Sequence, residues 1–285
     1  MGRTEKMGAL LMRKNLSKGL YSILIIFIAL TMISPFVFML SASLKTTADA
    51  FDDPLAHIIP KTIYWENYKT LFSSPDYFIW IGNSFKVVVI SILLRGFMVT
   101  MAAYAFARLN FKGKGLLLFF SMSTLAIPSD TTVVARYLLY KYLHMLDTHW
   151  AIIIPAIFDV FFLFLLRQFF MGIPKEITEA AIIDGCSHYR VYFRIILPLA
   201  VPALMTMVIF SFVYIWNDFA GPFIFISSQG KQLVTVGLQY FASIAGANYS
   251  LQMAGASIVV LLPIILFTFA QKYFVEGIAS SGVKG

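Results

Sequence analysis

Six apolar runs, at residues 20–43, 84–107, 116–140, 150–170, 202–226 and 252–274, constrain this chain more than any other feature of it. A helix needs roughly 20 mostly apolar residues to cross a bilayer, and each run reaches that length. The chain is 59% hydrophobic and only 13% charged, where a soluble domain carries about 25% charged residues. Lipid is the solvent that suits such a composition. The expected fold class is all-α: a polytopic membrane protein with six transmembrane helices, forming a single transmembrane domain over residues 1–285.

The first run follows Lys14 and Lys18 and ends near Ser41-Ala42-Ser43, which resembles a signal-peptide cleavage site. Its apolar length exceeds the roughly 7–15 residues of a signal core, so it reads as a retained helix. Basic residues orient the chain. With residues 1–19 inside, fourteen of the 22 lysines and arginines fall on the cytoplasmic side: Arg3, Lys6, Arg13, Lys14, Lys18, Arg108, Lys112, Lys114, Arg167, Lys175, Arg190, Arg194, Lys272 and Lys284. Lys45, Lys61, Lys69, Lys86, Arg136, Lys141 and Lys231 fall outside, and Arg95 lies within a span. That excess is the direction expected for cytoplasmic loops, and it places both termini inside. The net charge of +8 is thereby a membrane-flank signal rather than a sign of nucleic-acid binding.

Three outer segments follow. Residues 44–83 read as a short cap with turns, 141–149 as a tight link, and 227–251 as a loop containing Gly and Ser. One cysteine, Cys186, excludes an internal disulfide, and the four scattered histidines share no metal-ligand spacing. No GxxxxGK[ST] loop occurs, so the chain shows no nucleotide site of its own.

Inside, residues 171–201 form a polar island between two spans. Pro174 suits a helix start, and Glu176 and Glu179 favour its positive N-terminal end. Gly185 can adopt the left-handed conformation that ends a helix. Ser187 can then cap a second short helix. Pro198 and Pro202 disfavour smooth continuation into the next span. The expectation is a helix–turn–helix along the membrane surface.

Glu179-Ala180-Ala181, then three residues, Gly185, then nine, Ile195, then one, Leu197-Pro198 resembles the EAA loop of ABC importer permeases. The resemblance implies a coupling helix that docks on an ATPase subunit, with Glu179, Ala180, Ala181, Asp184, Gly185, Ile195, Leu197 and Pro198 as the coupling residues. The stretches at 102–108, 164–170, 216–219 and 282–285 are similar to the carbohydrate-uptake branch, in kind the smaller permease subunit of maltose-type transporters. This implies the fold of a type I importer in a bacterial or archaeal inner membrane. It also implies a second permease subunit forming a heterodimer, two ATPase subunits that bind ATP and Mg, and an extracytoplasmic sugar-binding protein. It implies further that residues 276–285 reach between the ATPase subunits, and that the loop at 227–251 meets the binding protein. No cofactor and no catalytic residue are expected in this chain.

Four ionisable residues fall within the runs: Arg95, Asp130, Asp159 and Asp218. Each is costly in hydrocarbon, at least ~2.5–3.5 kcal/mol on insertion scales. Counting from the outer ends places all four at roughly 12–17 Å depth, in one layer. Two readings stand: a buried ion pair, most simply Arg95 with an acid, or a polar translocation wall that includes Asn217. An arginine at position 95 departs from the usual family pattern and raises the expectation of an acidic saccharide as cargo. Two rivals remain open: an ABC permease for a non-sugar solute, and an ion-coupled transporter using Asp130, Asp159 or Asp218. No internal repeat supports the second.

Overall fold

The computed structural model describes residues 2–52, 58–244 and 248–282, with side chains for residues 18–50, 58–128, 130–242 and 248–271. Among the described residues every regular element is a helix. In chain order they include α1 Gly2–Ser43, α2 Glu66–Ser73, α3 Pro75–Arg108, α4 Lys114–Ser123, α5 Val133–Tyr142, α6 Trp150–Ile157 and α7 Val160–Gly172. There follow α8 Lys175–Ile183, α9 His188–Val191, α10 Val201–Trp216, α11 Ala220–Phe225, α12 Val234–Ile244, α13 Tyr249–Val259 and α14 Leu261–Gly282.

Among the described residues four stretches are long and apolar enough to cross a membrane: Lys18–Ser43, Pro75–Arg108, Trp150–Gly172 and Tyr249–Gln271. Six result if each of two bent pairs, Lys114–Ala126 with Asp130–Tyr142 and His188–Leu199 with Val201–Trp216, is one span. The second pair bends by 76° at Ala200, between the two prolines expected to interrupt it.

Several boundaries move. The run at 84–107 begins earlier, at Pro75, because Ser74 is extended, Pro75 occupies the first turn, and Asp76 and Arg108 sit at the ends their charges favour. The run at 202–226 stops at Trp216, and residues 217–219 separate it from the short α11. The segment 227–251 is loop only at its start, since Val234–Ile244 is helical. Residues 283–285 of the tail lie outside the described residues, as do the side chains of 276–282.

The chain divides into two compact units. One comprises residues 1–73 and 241–258. Within it, Asn67 Nδ2 donates to the carbonyls of Ser43 (2.9 Å) and Lys45 (2.8 Å), capping the end of α1. Tyr68 Oη lies 2.8 Å from Ser43 Oγ and 3.0 Å from Ser257 Oγ, joining α1, α2 and α13. The other unit comprises residues 74–240 and 259–285. In it α3 is central, packed by α6, α7 and α10, while α10 also packs against α14.

The core of this second unit sits at the Arg108 end of α3. Val99, Ala103 and Tyr104 of α3 meet Phe162, Leu163, Leu166 and Phe170 of α7, Ala203 and Met207 of α10, and Ala181, Val191, Tyr192 and Ile196 of the island. Between spans, where lipid is as apolar as these side chains, close packing rather than transfer from water holds such a core together. The island is thus packed into the helix bundle, not merely laid on it.

Candidate functional site

The island's first helix, α8, ends in a left-handed cap. Gly185 has φ 83°. Cys186 N–H donates to Ala181 O at 2.9 Å and Gly185 N–H to Ile182 O at 3.0 Å. These are the paired bonds of a Schellman motif, which closes carbonyls that a helix end otherwise leaves open. Ser187 Oγ then accepts from Arg190 N–H at 3.4 Å and starts α9. The segment Tyr192–Ile196 is a π-helical turn leading through Leu197-Pro198-Leu199 into the bend before α10. The expected helix–turn–helix is present, with its turn at Gly185.

The two faces of α8 differ. Thr178 and Ala181 are buried, whereas Glu179, Ala180, Asp184 and Gly185 are exposed. Ile195 and Leu197 are half-buried against the core, and Pro198 is exposed. The coupling residues named from the sequence therefore separate into an outward set and an inward set. Ala181 belongs inside, which leaves Ala180 as the small residue of the open face. Ile183, absent from the sequence-derived set, is 85% exposed beside Asp184, and Ile177 and Ile182 are exposed with it. Nothing in the pattern distinguishes Ile183 from a core residue, because a lone apolar position reads the same way in either place.

The intramembrane charges do not share one site. Arg95 is 2% exposed. Its Nε donates to Ala156 O at 2.6 Å, its Nη1 donates to Ser211 Oγ at 2.7 Å and lies 3.4 Å from Asp159 Oδ2, and its guanidinium sits 5.6 Å from the Phe162 ring centre. Asp159 stands in the break between α6 and α7, where its Oδ1 accepts from the N–H groups of Phe161 (3.0 Å) and Phe162 (3.3 Å). A broken helix strands carbonyls on one side and N–H groups on the other, and hydrocarbon offers neither a partner. Arg95 serves the carbonyl side and Asp159 the N–H side, while pairing with each other. Arg95 Nη1 and Asp159 Oδ2 form an ion pair in which the arginine is buried and the aspartate half-buried.

The other residues named with them lie in different surroundings. Asp218 Oδ1 accepts from Gly221 N–H at 3.1 Å and starts α11. A Cβ on Gly221 would fall 2.5 Å from Asp218 Oδ2, so glycine there admits the carboxylate. Asn217 Nδ2 returns to Val213 O at 2.8 Å, closing the end of α10. Asp130 is exposed in the short turn Ser129–Thr132, where the first bent pair breaks.

At the Pro75 end of α3 a loop is tied down from two sides. Trp80 Nε1 donates to Gln229 O at 2.9 Å, and Asn83 Nδ2 to the carbonyls of Gly230 (3.0 Å) and Gln232 (3.1 Å). Val234 N–H donates to Ser84 Oγ at 2.8 Å. From the other side Asp147, at φ 57°, accepts from Ser227 N–H, Ser228 N–H, Ser228 Oγ and Lys231 Nζ. Burial pushes the Asp147 carboxyl up, but these four donors outweigh it and hold the group well below the usual carboxylate range. His149 Nε2 donates to Lys231 O at 2.8 Å. Burial lowers its pKa, and nearby Lys86 and Lys231 lower it further against that hydrogen bond and Asp147. Sequence reading marked 141–149 as a tight link and 227–251 as a loop, which the family resemblance turns toward a binding protein, and named none of these tying residues.

No group of three or more His, Cys, Asp or Glu side chains that would hold a metal occurs among the described residues. The family described as "Binding-protein-dependent transport system inner membrane component" matches residues 96–280. The arabinooligosaccharides transport system permease protein of Halalkalibacterium halodurans is 31% identical over 261 residues, covering 91% of this chain and 94% of its own. The polygalacturonan/rhamnogalacturonan transport system permease protein of Bacillus subtilis is 28% identical over 281 residues, covering 93% and 97%. A chain of a bacterial ABC transporter involved in the import of the acidic polysaccharide alginate has the same fold. It superposes with TM-score 0.78 at 20% identity, covering 96% of this chain and 99% of that one.

Proposed function

Since the chain belongs to the family of binding-protein-dependent transport system inner membrane components, we propose that it is the permease subunit of an ATP-driven importer of oligosaccharides. It forms half of the translocation path, a second permease subunit forms the other half, and two ATPase subunits bind and hydrolyse ATP with Mg. The observation that carries this reading is α8. An exposed helix that ends at a left-handed glycine, and is rooted through Ala181 in the bundle core, offers a rigid projection to a partner. The ATPase subunits grip the face of Glu179, Ala180, Ile183, Asp184 and Gly185. Their closure rocks the spans between inward-open and outward-open. By the reciprocity of coupled sites, a sugar-loaded binding protein at the opposite end favours that closure in turn.

The excess of lysine and arginine over all the segments read as inside, fourteen of 22, supports a cytoplasmic island with both termini on the same side. The tied loop at 227–232 then faces the binding protein. The saccharide cargo is supported by the two relatives, one bearing the name of a neutral oligosaccharide system and the other of an acidic one. Arg95 Nε and Nη1 are engaged by Ala156, Ser211 and Asp159, which supports a structural task for those donors.

The test is uptake by the complete complex in proteoliposomes, with ATP inside and loaded binding protein outside. ATP-dependent accumulation of arabino-oligosaccharide or oligogalacturonide is expected, and the preferred arm gives the cargo's charge. Uptake that survives removal of the ATPase subunits but not of the membrane potential would overturn the reading in favour of an ion-coupled transporter. Gly185→Pro removes the N–H bonded to Ile182 and cannot adopt φ 83°, and Glu179→Lys reverses a charge on the open face. Each should abolish uptake while leaving membrane insertion intact. Arg95→Leu should lower transport of neutral and acidic sugars alike, and a selective loss of the acidic arm would return Arg95 to the path.

A further inference from the structure

Three side chains on one stripe of α3 hold the island at three points. Residues 100, 104 and 108 are each four apart, so they lie one above another on a single helix face. Arg108 Nη2 donates to Ile173 O at 2.6 Å, where the chain leaves α7 to enter the island. Tyr104 Oη lies 3.3 Å from His188 Nδ1, at the first residue of α9. Thr100 Oγ1 lies 2.6 Å from Tyr192 Oη, at the first residue of the π-helical turn. Thr100 Oγ1 also lies within hydrogen-bond distance of the Gly96 carbonyl, and in the Thr100–Tyr192 pair either hydroxyl can donate. The Tyr104 and Tyr192 rings also meet, with centres 5.3 Å apart.

The order of these contacts matters. The Arg108 and Tyr104 bonds bracket α8, one just before it and one just after its glycine turn. The third holds the π turn, a helical irregularity of the kind that recurs at functional positions. The segment Ala102–Arg108, read from the sequence only as family-like, thus has a physical task. All three bonds originate on α3.

We propose that Thr100, Tyr104 and Arg108 are the positioning residues through which displacement of α8 is passed to α3. Hydroxyl and guanidinium rungs at fixed spacing transmit a pull that apolar contacts, free to slide, would dissipate. This inference rests on the coupling role given to α8 above, and it adds the receiving element.

The experiment uses the reconstituted complex and reads two rates together: ATP hydrolysis stimulated by loaded binding protein, and sugar taken up per ATP hydrolysed. Thr100→Val and Tyr104→Phe remove only a hydroxyl each. Combined, they are expected to lower sugar per ATP by about fivefold or more, with ATPase subunits still co-purifying. Thr100→Ser, which keeps the hydroxyl, should restore the ratio. An unchanged ratio in the double variant overturns the proposal, as does a loss explained wholly by failure of the ATPase subunits to co-purify. Glu179→Lys separates the two readings. If it abolishes uptake while the double variant keeps its ratio, the transmission stripe is wrong and the coupling helix stands. If Glu179→Lys leaves uptake intact, the coupling role itself is lost.

Discussion

The two ends of α3 meet their surroundings in opposite ways. At the Pro75 end, Trp80, Asn83 and Ser84 fasten a loop that Asp147 and His149 fasten again from the other side. At the Arg108 end, Thr100, Tyr104 and Arg108 fasten a loop whose far face stays bare, with Ile183 almost fully exposed. One end is knitted within the chain. The other is anchored on its inner side and unfinished on its outer side. Ile183, exposed together with Ile177 and Ile182, makes an apolar surface on α8 that the chain itself leaves uncovered. Loops bonded from two directions make instead a firm frame that needs no further partner to hold its shape.

This contrast can be broken at several points. The largest effect is expected at the unfinished end. Ile183→Asp should reduce uptake by about 30-fold or more if Ile183 is an anchor in a desolvated contact. The thermal midpoint of the purified subunit should hold, since the residue touches little of its own chain. Wild-type uptake, or a large fall in midpoint, would contradict the contrast. Next comes a pair of glycines. A Cβ on Gly237 would lie 2.3 Å from Trp80 Cδ2, while one on Gly172 meets nothing within 4 Å. Gly237→Ala should destabilise by about 1–3 kcal/mol, and Gly172→Ala should be neutral or stabilising by about 0.4–1 kcal/mol. Equal midpoints for the two would show that the Pro75 end is not tightly packed.

Smaller effects sharpen the picture. Asp147→Asn keeps the left-handed backbone, which asparagine tolerates, keeps one acceptor oxygen for the Ser227 and Ser228 N–H groups, and removes the charge and the second acceptor that face Lys231 Nζ and Ser228 Oγ. Because Lys231 is half exposed, a loss of only about 0.5–1 kcal/mol in denaturant unfolding is expected. The smallest effect is in pH. His149 titrates below its ordinary value in the folded chain, so its contribution is whole at neutral pH and is lost as pH falls below about 6.5. Asp147, also lowered, contributes above about pH 4 and is lost only in stronger acid. A midpoint measured from pH 8 to pH 5 should therefore decline slightly, and His149→Asn should flatten that decline.

Much of this was legible in the sequence, for reasons that separate by length scale. The apolar runs were readable because hydrocarbon imposes a length. Gly185 was readable because a left-handed turn after a helix has few other occupants. The breaks at 158–159 and 217–219 were not, since hydropathy is blind to the backbone, and Phe158 and Phe219 keep the average high. Counting depth put Arg95, Asp130, Asp159 and Asp218 in one layer. It could not say that Asp159 faces Arg95 while Asp218 turns to Gly221, because depth leaves rotation about the helix axis unspecified. The stripe at 100, 104 and 108 was visible as spacing, but its partners at 173, 188 and 192 depend on how a bent segment folds back.

The Arg95 arrangement also has a history built into it. Residues 75–108 leave the ribosome well before residues 150–172. The span that carries Arg95 thus reaches the bilayer while Ala156, Asp159 and Ser211 are still unmade or unplaced, and it bears a penalty of ~2.5–3.5 kcal/mol at that moment. The mean hydropathy of 2.0 over its most apolar 18-residue window overstates how readily it settles alone. The arginine becomes at home only when the later broken helix arrives to use it. The order of synthesis makes this span a late resident of a membrane it was among the first to meet.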